Sequence, residues 1–444
     1  LLLDFGMLPA MKTILHLVIH GRAPAVRGKL LPVRHFIWAA LLVLASNSAR
    51  AADWTTWRGP GRGGICSEKD LLQKWPEGGP KLAWKTTELG DGYSATAITG
   101  NTIFTMGKKD GTGMVLSLDI EQQGKIIWGT PICESKYTQA YKGPRDMPTI
   151  DGDRVYALET MGTLVCLNAK TGKLIWKVNY VDDFGGVVPR WGFAESVLVD
   201  GDKVVCTPGG PKGTVVALDK MTGKTLWASK FGDKASYSSL VKVSHEGVDQ
   251  YAGFTSDAVV GVGAADGKPL WRYTKPAHQA DWGDVNVMVP VWSDGMVFAS
   301  SGYKTGGGMA RIKKTATGFK AEEVWFSDAM INHHGGVILL DGKLYGCSDP
   351  KNLKCMDLST GKVLWETKEA GKCCVLYADG MLYCRSEKGP ISLVKATPKG
   401  FQLQGQFDQP DRSKEPSWTH PVISNGLLYI RDQGLLLCYD VRAR

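Results

Sequence analysis

One phrase recurs along the chain: a short hydrophobic strand, an Asp or Asn, a turn of the Thr-Gly-Lys type, and then Trp. It reads LSLDIEQQGKIIW (116–128), VCLNAKTGKLIW (165–176), VALDKMTGKTLW (216–227) and CMDLSTGKVLW (355–365), with a looser copy, VGVGAADGKPLW, at 260–271. Trp84, Trp128, Trp176, Trp227, Trp271, Trp325 and Trp365 are 44, 48, 51, 44, 54 and 40 residues apart, and Phe407 follows 42 residues later. A period in the forties marks a stacked or radial architecture, in which each unit buries its hydrophobic face against its neighbours.

Each unit also carries an upstream hairpin. TGNTIFTMG (99–107), DGDRVYALE (151–159), DGDKVVCTP (200–208), SDGMVFASS (293–301), DGKLYGCS (341–348), ADGMLYCR (378–385) and SNGLLYIR (424–431) place Asp-Gly, Asn-Gly or a related pair between alternating strands. Asp-Gly and Asn-Gly supply the positive φ angles that tight hairpin turns need. One unit is therefore about four short antiparallel strands, a propeller blade. The last unit, WTHPVISNGLLYIRDQGLLLCYDV (418–441), stops without its Trp strand, whereas KLAWKT (81–86) is a Trp strand with no blade before it. Pairing the two closes the ring and removes the exposed sheet edge that would invite aggregation. The sequence thus predicts an all-β, eight-bladed propeller of four-stranded antiparallel blades. A solenoid of the same repeats would need polar caps at both ends.

Composition agrees with this. The chain holds 54 Gly among 444 residues, as a turn-dense β-chain requires, and its 43% hydrophobic content argues against disorder. The organisation expected is a leader over 1–51, an N-terminal extension over 52–80 and the propeller over 81–444. Arg27, Lys29, Arg34 and His35 read as the basic region of a signal peptide, 36–45 as its apolar core and Ala49-Arg50-Ala51 as its cleavage site. The leader carries six Lys or Arg and one Asp, so the formal charge of +9 falls to about +4 without it. That is no nucleic-acid footprint. No stretch beyond the leader is long and apolar enough to cross a membrane, so the mature chain is expected in the periplasm or outside the cell.

The ten cysteines show no metal-type CxxC spacing. Cys166, Cys206, Cys355, Cys384 and Cys438 lie in hydrophobic strands and read as buried thiols. Cys347 and Cys355 flank one hairpin and are a candidate cross-link, and Cys373-Cys374 reads as two unlinked thiols at a strand start. GPGRGG (59–64) mimics a dinucleotide fingerprint but precedes a propeller rather than opening a βαβ unit.

At this point the chain resembles the pyrroloquinoline quinone (PQQ) repeat family over essentially all of 54–441, on the strength of the Leu-Asp-x-x-Thr-Gly-Lys-x-x-Trp phrases. The opening WTTWRGPGRGG (54–64) is similar to exported PQQ-like propellers of planctomycete-type bacteria. The resemblance implies eight blades, with each Trp docked between neighbouring blades and the Asp and Gly closing the turn before it. It leaves two functions open. One is a non-catalytic scaffold like the assembly lipoprotein BamB, binding an envelope protein or polymer without a cofactor. The other is a periplasmic quinoprotein oxidoreductase acting on an alcohol or sugar, with PQQ over calcium.

The segments leading into the innermost strands of such propellers line the central funnel. In register they offer Arg145, Trp191, Glu195, Tyr237, Asn286, His333, His334, Lys372, Trp418 and His420. Convergent polar groups with aromatic walls suit an orienting small-molecule pocket, although such groups also cap strand ends. The quinoprotein reading assigns Glu195 and Asn286 to calcium, which takes oxygen ligands, and Asp328 or Asp284 to the catalytic base. His333 and His334 with His420 are the alternative metal-ligating set. The lack of CxxCH for an attached haem weighs toward the scaffold.

Overall fold

The computed structural model describes residues 53–135, 141–279, 285–350 and 352–443. The leader, Trp282 and Asp284 lie outside the described residues. Eight antiparallel sheets follow one another around a ring. Blade one runs from Ala97–Thr99 through Thr102–Lys109 and Thr112–Asp119 to Lys125–Glu134, and the pattern repeats to blade seven, which ends at Leu403–Phe407. Blade eight takes three strands from the C-terminal end, Val422–Ser424, Leu427–Asp432 and Leu435–Asp440. Its outermost strand is Lys81–Thr86, paired antiparallel to Leu435–Asp440 with Lys81 opposite Asp440. The ring closes as the sequence predicts.

The hairpin turns follow from their residues. Asp294, Asp341, Asp379 and Asn425 each hold φ between 46 and 60°, and each is followed by a Gly at positive φ. In the phrase itself the acidic or amide side chain folds back on its own turn. Asp219 Oδ1 accepts from Thr222 N (2.8 Å) and Thr222 Oγ1 (2.7 Å), and Asn168 Oδ1 accepts from Thr171 N (3.0 Å). The glycine has two duties: positive φ and close approach. A Cβ on Gly223 (φ +72°) would stand 2.8 Å from the Trp176 ring of the preceding blade, and one on Gly267 would stand 2.3 Å from Trp227.

The Trp then docks across the joint between blades. Trp128 Nε1 donates to Ala169 O (3.1 Å), Trp176 to Lys220 O (3.0 Å), Trp325 to Leu358 O (2.9 Å) and Trp365 to Thr397 O (2.8 Å). Just before each Trp the register slips by one residue, a β-bulge that bends the outer strand. The extra residue turns outward, which is why Ile127, Ile175, Leu226, Val324 and Leu364 are exposed aliphatics.

All ten cysteines are free thiols and nine are buried. The Cys347–Cys355 cross-link is not made. Cys347 pairs with Leu353 and Cys355 with Tyr345, so the two are not cross-strand partners. Cys347 Sγ instead accepts from Cys373 N at 3.2 Å in the next blade. Cys373 and Cys374 are likewise unlinked.

The stretch expected as an extension is woven into the ring. Trp54 bridges Ile98, Ile65–Cys66 adds a parallel fifth strand to the innermost strand of blade seven, and Leu71 bridges Arg442. No helix among the described residues is long and apolar enough to cross a membrane.

Candidate functional site

In each blade the segment leading into the first strand and the loop joining the second and third strands lie at the same end of the ring, because the strands alternate in direction. These segments build a funnel with a cavity of about 340 Å³. The lead-in segments contribute Tyr93, Arg145, Trp191, Tyr237, Val289, His333, His334, Trp418 and His420. Two loops between second and third strands add Tyr303, before Gly306–Thr315, and Glu387, before Ile391–Lys395.

The N-terminal strap runs between this funnel and a second cavity. Trp57 and Arg58 face the funnel, whereas Thr55, Thr56, Gly61 and Arg62 line a separate cavity of about 580 Å³. Two buried guanidinium groups hold the strap like spokes. Arg62 donates to Ser196 O (2.9 Å), Leu240 O (2.9 Å) and Val197 O, so it grips blades three and four. Arg58 donates to Val337 O (2.8 Å) and Gly63 O (3.1 Å), and its Nη1 stands 3.4 Å from His420 Nδ1. The strap is compact because Gly59, Gly61 and Gly64 and both arginines take positive φ, and a Cβ on Gly59 would strike the Trp54 ring at 2.5 Å. Burial lowers both arginines to about 10, so both stay charged near neutrality.

Three aromatic groups wall the mouth. Trp418 packs against Tyr93 (5.2 Å between centroids), Tyr141 (4.5 Å) and His334 (5.2 Å). Trp191 faces Tyr237 at 6.0 Å, and Tyr303 meets His333 at 4.7 Å. Burial keeps the histidines neutral: His333 is pushed down to about 2, with His334 and Lys372 adding to the effect, and His420 to about 3, with Arg58 adding. His334 is also lowered by burial. His420 Nε2 lies 3.1 Å from His334 O, which assigns the ring proton there and leaves Nδ1 to accept from Arg58. His334 is different, since neither ring nitrogen has a hydrogen-bond partner and Nε2 stands 3.8 Å from Glu387 Oε1. Glu387 is held down to about 2 by the adjacent His334 ring and by Trp418 Nε1, which donates to Oε1 at 2.8 Å.

Of the residues singled out in the sequence, Arg145, Trp191, Tyr237, His333, His334, Trp418 and His420 come together in the funnel lining. Lys372 stands behind it, with Nζ 2.9 Å from His333 Nδ1 and 2.8 Å from Asp349 Oδ1. Glu195 and Asn286 are not part of the lining. Glu195 Oε1 accepts from Tyr180 Oη (2.8 Å) and Thr207 N (2.6 Å), and burial raises the carboxyl to about 7. Asn286 is fully engaged: its Oδ1 accepts from His278 N (2.8 Å) and Ser301 Oγ (2.6 Å), and its Nδ2 donates to Thr255 O and Ser256 O (2.9 Å each). Asp328 is exposed beyond the outermost strand of blade five. These groups, as placed, do not form the oxygen cage that a calcium-bound quinone requires. Among the described residues no group of three or more His, Cys, Asp or Glu is arranged to hold a metal ion.

Arg58, Tyr303 and Glu387 escape a reading by lead-in segments, whereas Tyr141 sits in the lead-in to blade two, four residues before Arg145. Glu387 and Tyr303 belong to a second set of loops at the same end, and Arg58 to the strap. The available signal was topological: loops between second and third strands share the funnel end.

The model of the family described as "Outer membrane protein assembly factor BamB" matches residues 111–367. The chain is 23% identical over 384 residues to the outer membrane protein assembly factor BamB of Yersinia pestis, covering 82% of this chain and 81% of that protein. It is 34% identical to the quinoprotein ethanol dehydrogenase of Pseudomonas aeruginosa over 97 residues, which span 21% of this chain and 14% of the enzyme. Among solved structures, BamB of Moraxella catarrhalis aligns with a TM-score of 0.58 at 16% identity, over 82% of this chain and 98% of that one. The quinohemoprotein alcohol dehydrogenase of Comamonas testosteroni aligns at 0.63 and 12% identity, over 90% and 82%. At these identities the two structures speak for the fold alone.

Proposed function

The chain belongs to the family described as outer membrane protein assembly factor BamB, and on that premise we propose that it is a binding module of the cell envelope, acting without catalysis. Its ligand is an envelope protein or polymer, recognised at the funnel mouth. The observation that carries this reading is the funnel itself. Arg58 and Arg62 hold the strap across the ring beside it, so the ring encloses an aromatic-walled recess of the kind that holds a ligand in a fixed orientation. Glu195 lies outside the funnel lining with Oε1 hydrogen-bonded, and Asn286 is fully hydrogen-bonded. A periplasmic or secreted location is part of the same proposal.

Chemical cross-linking of the chain in an envelope preparation, followed by identification of what it captures, tests the proposal. The expected outcome is a defined protein or glycan partner attached through the funnel face. Capture of nothing, together with alcohol-dependent reduction of an artificial electron acceptor in the presence of PQQ and calcium, would instead place the chain with the oxidoreductases.

A further inference from the structure

The joint between blades six and seven concentrates sulfur. Cys347, Cys355, Cys373 and Cys384 share one buried hydrophobic cluster with Tyr345 and Trp365, and all four are free thiols. Two of them meet across the joint. Cys347 lies on the second strand of blade six, Lys343–Ser348, and Cys373 opens the first strand of blade seven, Cys373–Ala378. The Cys373 N–H donates to Cys347 Sγ at 3.2 Å, and the two thiols hydrogen-bond each other. Gly335 permits this approach, since a Cβ there would stand 2.1 Å from Cys373 O and 3.5 Å from Cys347 Cβ. Strand register disfavours the other pairings. Cys347 is opposite Leu353 while Cys355 is opposite Tyr345, and Cys373 is opposite Ser386 while Cys384 is opposite Val375. Both within-blade pairs are therefore diagonal, with Cα atoms about 7–8 Å apart, beyond the usual disulfide window. Cys374 points to the other face, where its Sγ donates to Trp418 O at 3.3 Å.

We propose that Cys347 and Cys373 are a disulfide-forming pair that staples blade six to blade seven in an oxidising compartment. The oxidant is itself a disulfide, small or protein-borne. The Cys347 thiolate attacks one of its sulfurs and expels a thiolate; the Cys373 thiolate then displaces the second. Both electrons leave in the two expelled sulfurs, which take up the two protons that the cysteines gave away. In the closed ring both thiols are buried, and the Cys373 thiol together with burial holds Cys347 well above the ordinary cysteine range. The exchange therefore belongs to folding, before the joint seals, and the finished bond is shielded from reductants. The staple stands directly behind the funnel wall, because Lys372, next to Cys373, holds Nζ 2.9 Å from His333 Nδ1. Its setting is the periplasmic or extracellular location proposed above, and it does not depend on what the funnel binds.

Oxidative refolding of the purified full chain tests the pair apart from the location. The reduced chain is refolded from urea with oxidised and reduced glutathione, the remaining thiols are alkylated in denaturant, and the unreduced digest is mapped by mass spectrometry. One cross-linked peptide joining Cys347 to Cys373 is expected, with the other cysteines alkylated. The oxidised chain should melt about 4 °C above the reduced one. Cys347→Ser and Cys373→Ser should each abolish the link and the shift, whereas Cys355→Ser and Cys384→Ser should keep both. If the chain does not refold from urea, the same mapping on chain exported to a bacterial periplasm, alkylated before lysis, decides the matter. Alkylation of every cysteine after oxidation would overturn the proposal, as would a Cys347–Cys355, Cys373–Cys384 or Cys373–Cys374 peptide in place of the expected one.

Discussion

Gly223 illustrates how single residues carry the ring. Its φ of +72° suits glycine, and the Trp176 ring occupies the place where a Cβ would go. Gly223→Ala therefore combines left-handed strain with overpacking, and the expected loss is about 2–4 kcal/mol in chemical denaturation. A neutral result would mean that the Trp joint does not limit stability. Asp146 and Glu195 give a second residue-scale expectation. Desolvation raises Asp146 to about 8 and Glu195 to about 7, while Arg62 and local hydrogen-bond donors oppose the shift. Raised carboxyl pKa values mean that the folded state holds its protons more tightly than the unfolded one. The stability they contribute is full below about pH 4 and is lost as pH rises through 7 to 8. Unfolding free energy should thus fall between pH 5 and pH 8, by on the order of 1 kcal/mol per pH unit for each acid. Asp146→Asn with Glu195→Gln should flatten that slope, as denaturant melts across the range would show. An unchanged slope would mean that these acids are not the source.

At the scale of elements, much of the site was legible and some was not. The repeated Trp phrase and the Asp-Gly and Asn-Gly hairpins are local signals, so blade number, blade order and ring closure could all be read from them. Lead-in segments could be aligned in register, and seven of the chosen side chains do reach the funnel. Glu195 and Asn286 do not, because neighbouring residues of an extended segment point to opposite sides; Ala194 lines the funnel while Glu195 turns into the joint beside Tyr180. The strap was harder still. Its contacts join Arg58 to residues 279 and 362 positions away, and no local pattern announces such a partner. Arg62 makes the strap testable. Arg62→Ala would leave three buried carbonyls without their donor, and the expected loss is about 2–4 kcal/mol in thermal or chemical melts. Arg62→Lys should recover only part of it, since an ammonium cannot reproduce the guanidinium fork. Full recovery with Lys would reduce the spoke to a point charge.

On the scale of the whole molecule, the ring is a closed frame around an aromatic-walled recess, and the same frame serves relatives whose names describe both assembly factors and dehydrogenases. Fold does not choose between them, and the choice has to be argued from the recess. Its aromatic mouth and neutral histidines suit holding a ligand, while Glu195 Oε1 and the Asn286 amide are hydrogen-bonded in the joints between blades. The most direct measurement is therefore a PQQ titration of the purified chain with excess calcium, followed by tryptophan fluorescence. Trp57, Trp191 and Trp418 line the funnel, so a quinone bound there would quench strongly. The account predicts a flat titration, identical in the unaltered chain and in Glu195→Gln. Saturable, calcium-dependent quenching that disappears in Glu195→Gln would contradict it and make this ring a quinoprotein.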